Sequence, residues 1–107
     1  MAGKPKTPRG ERRARARAHE EMVQDLDRLA KLKPGGAPAY PLVVASSAQV
    51  DVIAGAAPCP LCEGTQHLEE HAAETIDGEW LRVARLRCTV CGTRRELYFR
   101  VSERMLH

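Results

Sequence analysis

Hydrophobic and polar positions recur with two different periods along the chain, and each period predicts a different kind of element. From Glu11 to Lys33 strong helix formers dominate, and Ala18, Met22, Leu26, Leu29 and Lys33 fall on one stripe widened by Val23, Ala30 and Leu32. The spacing predicts a helix over 11–33, closed by Pro34-Gly35-Gly36. Its first half carries Arg12, Arg13, Arg15 and Arg17 with no large apolar residue, so it is expected to be solvated and frayed. The second half has a short apolar face that must bury against the sheet or against a second copy of the helix.

Further on the period becomes two. Thr65 to Ile76 and Glu79 to Arg87 flank Asp77-Gly78, a strong signal for a two-residue hairpin turn. That turn sets Ile76 opposite Glu79, Glu74 opposite Leu81, Ala72 opposite Val83 and Glu70 opposite Arg85. One face then carries Leu68, Ala72, Ile76, Leu81 and Val83, and the other His71, Trp80, Ala84 and Leu86. Arg95 to Val101 alternates as a third strand with Leu97, Phe99 and Val101 inward. Between helix and hairpin, residues 34–56 read as a Gly- and Pro-rich linker with two weak β-branched runs, Leu42-Val43-Val44 and Val50-Asp51-Val52-Ile53. These form either a loose hairpin or an irregular strand on the sheet's edge, and the edge strand is preferred because an isolated hairpin is marginal. The expected organisation is a disordered basic arm (1–10), a basic and amphipathic helix (11–33), the linker (34–56), a small sheet domain (57–101) and a short tail (102–107).

Charge changes this picture more than composition does. The net charge is only +3, but residues 1–33 carry ten Lys/Arg against five acids, residues 34–78 six acids and no Lys or Arg, and residues 79–107 seven Arg against three acids. The chain is a basic–acidic–basic block design. Lys4, Lys6, Arg9, Arg12, Arg13, Arg15 and Arg17 face Glu11 alone, a pattern that suits a nucleic-acid backbone and equally a solubilising tail or an intramolecular mask for the acidic block. No apolar run approaches the ~18 residues of a membrane span, and no apolar stretch follows the basic N-terminus as a signal peptide would require. The reading is a soluble cytoplasmic protein with no membrane partner.

All four cysteines lie between Pro58 and Gly92, as Cys59-Pro60-Leu61-Cys62 and Cys88-Thr89-Val90-Cys91. Two residues between cysteines let a tight turn aim both sulfurs at one ion, and a second pair closes a tetrahedron, so the pattern predicts one structural Zn²⁺ held by Cys59, Cys62, Cys88 and Cys91. With one Trp, one Phe and two Tyr the chain is thin in large apolar groups, and a bound ion would offset that shortfall. An iron centre of the same ligands would want more aromatics around it, and a redox Cys-x-x-Cys would want a helix start that is not offered here.

At these residues the chain resembles the zinc-ribbon family. The resemblance covers about residues 57 to 101 and implies a three-stranded antiparallel sheet with the metal gripped between two knuckle turns; the family's functions are diverse, so membership alone names no activity. The fold class is therefore a small metal-bound α+β chain, an N-terminal helix followed by a zinc ribbon with an extra edge strand. Two departures stand out: the 25-residue spacer from Glu63 to Arg87 exceeds the usual roughly 15–20, and Glu63 stands where Gly92 follows the second pair, which predicts a wider first turn.

Other candidates weigh less. His67 and His71 are near enough in sequence to be alternate ligands, but four thiolates saturate zinc, so solvent-facing strand histidines are the plainer reading. Arg82, Arg85, Arg87, Arg94, Arg95 and Arg100, with Trp80 and Tyr98, resemble a surface for phosphates and stacked bases. Arg85 is expected to pair with Glu70, and Arg87, Arg94 and Arg95 to offset the charge of the thiolate site, which leaves Arg82 and Arg100. No nucleophile or acid–base pair stands out, so a non-enzyme is expected. Two functions follow: a nucleic-acid-associated accessory factor of transcription or RNA machinery, binding through the basic N-terminus, and a protein-interaction module that takes a partner or its own copy on Met22, Leu26 and Leu29 or on a sheet edge.

Overall fold

The computed structural model describes residues 9–102; Lys4, Lys6 and the tail from residue 103 lie outside the described residues. In chain order the elements are α1 (Arg9–Lys31), β1 (Leu42–Val44), α2 (Ser47–Ala56), β2 (Gln66–Ile76), β3 (Glu79–Cys88) and β4 (Arg94–Val101). The strands form one four-stranded sheet in the order β1-β4-β3-β2. No described helix is long and apolar enough to cross a membrane.

The hairpin of β2 and β3 turns on Asp77 (φ 50°) and Gly78 (φ 82°), the two left-handed residues that match the twist of the flanking strands. The register follows: Ile76 faces Glu79, Glu74 faces Leu81, Ala72 faces Val83 and Glu70 faces Arg85. Between Leu68 and Glu70 the register slips by a bulge at Glu69, so Leu68 faces Leu86 and not the Ala72–Val83 side. This corrects the placement of Leu68, because one extra residue reverses the faces of everything beyond it. Leu97 and Phe99 turn into the core from β4, whereas Val101 is exposed.

The sheet is mixed, not three-stranded antiparallel. Leu42–Val44 adds to its edge as expected, but parallel to β4, with Leu42 facing Phe99 and Val44 facing Val101. Val50-Asp51-Val52-Ile53 is not a strand. It lies in α2, whose start carries the Ser46-x-x-Gln49 pattern of a capping box. Ser46 makes no side-chain cap, but Gln49 Oε1 reaches back to the Ala45 N–H at 2.7 Å. Helical spacing buries Val50 and Ala54, one turn apart, and leaves Val52 exposed, where a strand would have put Val50 and Val52 on one side.

Physical need explains the helix. Ala84, Leu86 and Phe99 form an apolar sheet face that must be covered, and α2 covers it, completing a core with Val44, Val50 and Ala54. Asp51 of α2 accepts a 2.7 Å contact from His71 Nδ1 of β2, and Gln66 Nε2 donates to Ala57 O at 3.1 Å beyond the helix end. The opposite face holds Val83 and Leu81 under a layer of ion pairs in which Arg85 meets Glu74 at 2.7 Å and Glu70 at 3.2 Å.

The helix α1 meets the body only near its C-terminal end. Ala30 is buried there, and Arg95 donates to Asp27 Oδ1 at 2.7 Å with its own side chain only 7% exposed. Burial raises the Asp27 carboxyl, but hydrogen bonds from Lys31 and Arg95 outweigh it and hold the group below its usual range. Every residue from Gly10 to Met22 is exposed.

Candidate metal centre

Each Cys-x-x-Cys pair sits on a turn that the backbone closes in the same way. In the first, the Glu63 N–H donates to Cys59 O at 2.7 Å and the Cys59 N–H to Gly64 O at 2.9 Å. In the second, the Gly92 N–H donates to Cys88 O at 3.0 Å and the Cys88 N–H to Thr93 O at 2.9 Å. Gly92 has φ 76° and Glu63 has φ 63°, so the glutamate adopts the left-handed conformation that glycine adopts without strain. The first turn is therefore not wider; Glu63 bears the conformational cost.

The knuckles are held together at their base. Thr89 donates to Thr65 O from both its N–H and its hydroxyl, each at 2.9 Å, and Gln66 faces Cys88 at the start of the hairpin. Gly64 lies against Val90: a Cβ there would fall 2.7 Å from Val90 Cγ2 and 3.2 Å from Cys62 Sγ. The bare glycine backbone is what lets the two turns approach this closely.

The four sulfurs lie within 4.8 Å of one another, with Cys59 and Cys91 at 3.8 Å and Cys62 and Cys88 at 3.4 Å. Bonds of about 2.3 Å from a tetrahedral zinc place sulfurs roughly 3.8 Å apart, whereas a disulfide needs about 2.05 Å. The spacing and the all-sulfur donor set fit a metal ion, and a tetrahedron of four protein ligands keeps no position open for substrate. Cys59 and Cys88 are buried, Cys62 and Cys91 exposed.

Hydrogen bonds already favour thiolates on the second knuckle. The Cys91 and Val90 N–H groups each lie 3.4 Å from Cys88 Sγ and draw that thiol down. Cys91 is drawn down to about 6, chiefly by the Thr93 side chain, 3.2 Å away, and by the Thr93 backbone. At Cys62 the Gly64 N–H pulls downward, but the neighbouring thiols, Cys88 first, push the group up to about 12. Packing four thiols this closely raises the cost of ionising them all, a cost a divalent cation removes.

Neither histidine joins the sulfurs; His67 has the solvent-facing strand position expected of both, and His71 does not. Only cysteines make up the cluster among the described residues; His71 is half-buried against Asp51 in mid-sheet, and His67 is exposed opposite Arg87. Arg87, Arg94 and Arg95, expected to offset the thiolate charge, each have a carboxylate partner. Arg87 and Arg94 meet Glu69 at 3.7 and 3.4 Å, and Arg95 meets Asp27. Arg85 does pair with Glu70, together with Glu74. Trp80 and Tyr98 lie on opposite faces, because Tyr98 pairs with Val83 and Trp80 is three positions away from it, so they make no common stacking platform.

The seven basic candidates of the N-terminus fall in two places. Lys4 and Lys6 are outside the described residues, and Arg9 opens α1. Arg12, Arg13, Arg15 and Arg17 are exposed on α1, away from the cysteines, and the helix's ion pairs among the described residues begin only at Asp25. Met22 and Leu29 are 52% and 56% exposed, and Leu26 is half-buried. With Leu32, Pro58 and Pro60, Leu26 and Leu29 line an open apolar groove of about 620 Å³ between α1 and the first knuckle.

Sequence reasoning missed three positioning contacts, Asp51–His71, Arg95–Asp27 and Thr93–Cys91. Of these only Thr93 carried a signal, its place two residues after a knuckle cysteine. Comparison of the chain with known protein families, curated proteins and solved structures finds no match in any of the three. The cysteine cluster is compatible with a zinc-ribbon-like site.

Proposed function

We propose that the protein is a non-enzymatic zinc-ribbon-like factor in which one structural Zn²⁺, bound by Cys59, Cys62, Cys88 and Cys91, holds the fold while the basic first half of α1 docks on nucleic acid. It serves transcription or RNA machinery as an accessory chain. The observation that carries this reading is the pairing of a closed four-sulfur site with a helix whose Arg12, Arg13, Arg15 and Arg17 are exposed. A closed site supports structure, and several cations acting together supply backbone affinity. Elemental analysis should find one zinc per chain, lost on Cys59→Ser. A mobility-shift assay should show nucleic-acid binding that weakens steeply with salt and disappears when residues 1–17 are removed; no shift at low salt would end the nucleic-acid reading.

The second reading is a protein-interaction module, favoured by the exposure of Met22, Leu29 and Leu32 beside the groove. Apolar docking there would barely respond to salt, and Leu29→Lys would abolish it while leaving the zinc content unchanged.

A further inference from the structure

The basic half of α1 has a shape as well as a charge, and the shape selects among nucleic acids. Every residue from Gly10 to Met22 is exposed, so this stretch is a free rod and not the outer face of a packed helix. Between its arginines stand Ala14 and Ala16, and Ala18 follows them; these small residues keep the rod close to the width of the bare helix. At about 100° per residue, Arg15 lies on one flank and Arg13 and Arg17 on the other, roughly 160–200° away, with Arg12 and Ala16 between them. Glu11, the one acid among residues 10–19, falls with Ala14 and Ala18 on the remaining side. A helix resting on a flat strand would need its cations on one face. Cations on two opposed flanks fit a helix lying in a groove with phosphates on both walls.

We infer that α1 inserts its Arg12–Arg17 segment into the major groove of double-stranded DNA, Arg13 and Arg17 meeting one phosphate wall, Arg15 the other, and Arg12 and Ala16 facing the base edges. This rests on the nucleic-acid reading above and narrows it. The major groove of B-form DNA is about 12 Å wide and admits an α-helix, whereas that of A-form RNA is too deep and narrow. Glu20 and Glu21 mark where the rod must leave the phosphates, which limits insertion to about three turns and leaves the sheet body outside the groove.

The test is fluorescence anisotropy of the full zinc-loaded chain with a labelled 16-base-pair DNA duplex, its separate strands, and an RNA duplex of the same sequence, between 50 and 200 mM salt. The DNA duplex should bind about tenfold or more tighter than the single strands or the RNA, with a log–log salt slope near −3 from the three wall arginines, at about −0.9 per phosphate. Arg15→Ala should reduce the slope by about one and the Arg13→Ala/Arg17→Ala pair by about two. Ala16→Leu should weaken duplex binding, and Ala14→Leu, on the outer side, should not. Circular dichroism and zinc content should stay unchanged in all of these, since the residues are exposed. Equal affinity for single strands or RNA, or loss on Ala14→Leu equal to that on Ala16→Leu, would overturn the groove insertion while leaving the nucleic-acid reading standing. No binding to any of the three at 50 mM salt would overturn both.

Discussion

Glu63 holds a left-handed backbone at φ 63°, where a side chain costs about 1 kcal/mol or more and glycine costs little. Glu63→Gly should therefore stabilise the zinc-loaded protein by about 0.5–1 kcal/mol after the extra freedom of the unfolded chain is discounted, visible as a rise in urea midpoint at unchanged m. Gly64 sits one residue on with the opposite constraint. Its Cβ would press on Val90 and on Cys62 Sγ, so Gly64→Ala should separate the knuckles, lowering zinc affinity and stability by about 1–3 kcal/mol, as measured by competition with a chromogenic chelator. The cysteines themselves were legible from spacing alone. The equivalence of the two turns was not, because Cys-x-x-Cys-Glu-Gly hides the left-handed position behind a residue that rarely occupies it.

Elements were legible where local signals were dominant. Asp77-Gly78 fixes a hairpin register whatever surrounds it, since both residues favour the left-handed turn, and β2 and β3 pair as that turn dictates. Val50 to Ile53 was ambiguous, because a short β-branched run suits a strand or a buried helix turn, and the sheet face that needed covering decided for the helix. Val50→Ala should cost about 1–3 kcal/mol and Val52→Ala less than about 0.5 kcal/mol, a contrast a strand would not show. The docking of α1 depends on the Asp27–Arg95 pair. Asp27 has its acidity strengthened by folding, so the pair contributes above the ordinary value of 3.8 and is lost as pH falls below it. Asp27→Asn reproduces that protonation at neutral pH without displacing metal. It should speed hydrogen exchange at the C-terminal half of α1 and cost about 1–2 kcal/mol, discounted because Asp27 is 39% exposed.

For the molecule as a whole, a core centred on Val44, Val50, Ala54, Ala84, Leu86 and Phe99 is small for a sheet and two helices. Structural zinc contributes roughly 10–16 kcal/mol in small folds of this kind, enough to decide between folded and unfolded. A strong chelator at neutral pH should abolish the far-ultraviolet signal of the sheet, and added zinc should restore it. A spectrum unchanged by complete metal removal would show that burial alone sustains the structure.

What the sequence determined by itself was everything set by near neighbours: four cysteines aimed in pairs, one hairpin with its register, and the long N-terminal helix. What the tertiary structure decided was everything set by distant partners. It put Leu42–Val44 parallel to β4, laid α2 over the apolar face, shifted Leu68 through the bulge at Glu69, and matched Arg87 and Arg94 with Glu69 and Arg95 with Asp27. Local spacing fixes backbone geometry through sterics within a few residues, whereas the occupant of a buried face or the partner of an arginine depends on which residues the finished fold brings within a few ångströms.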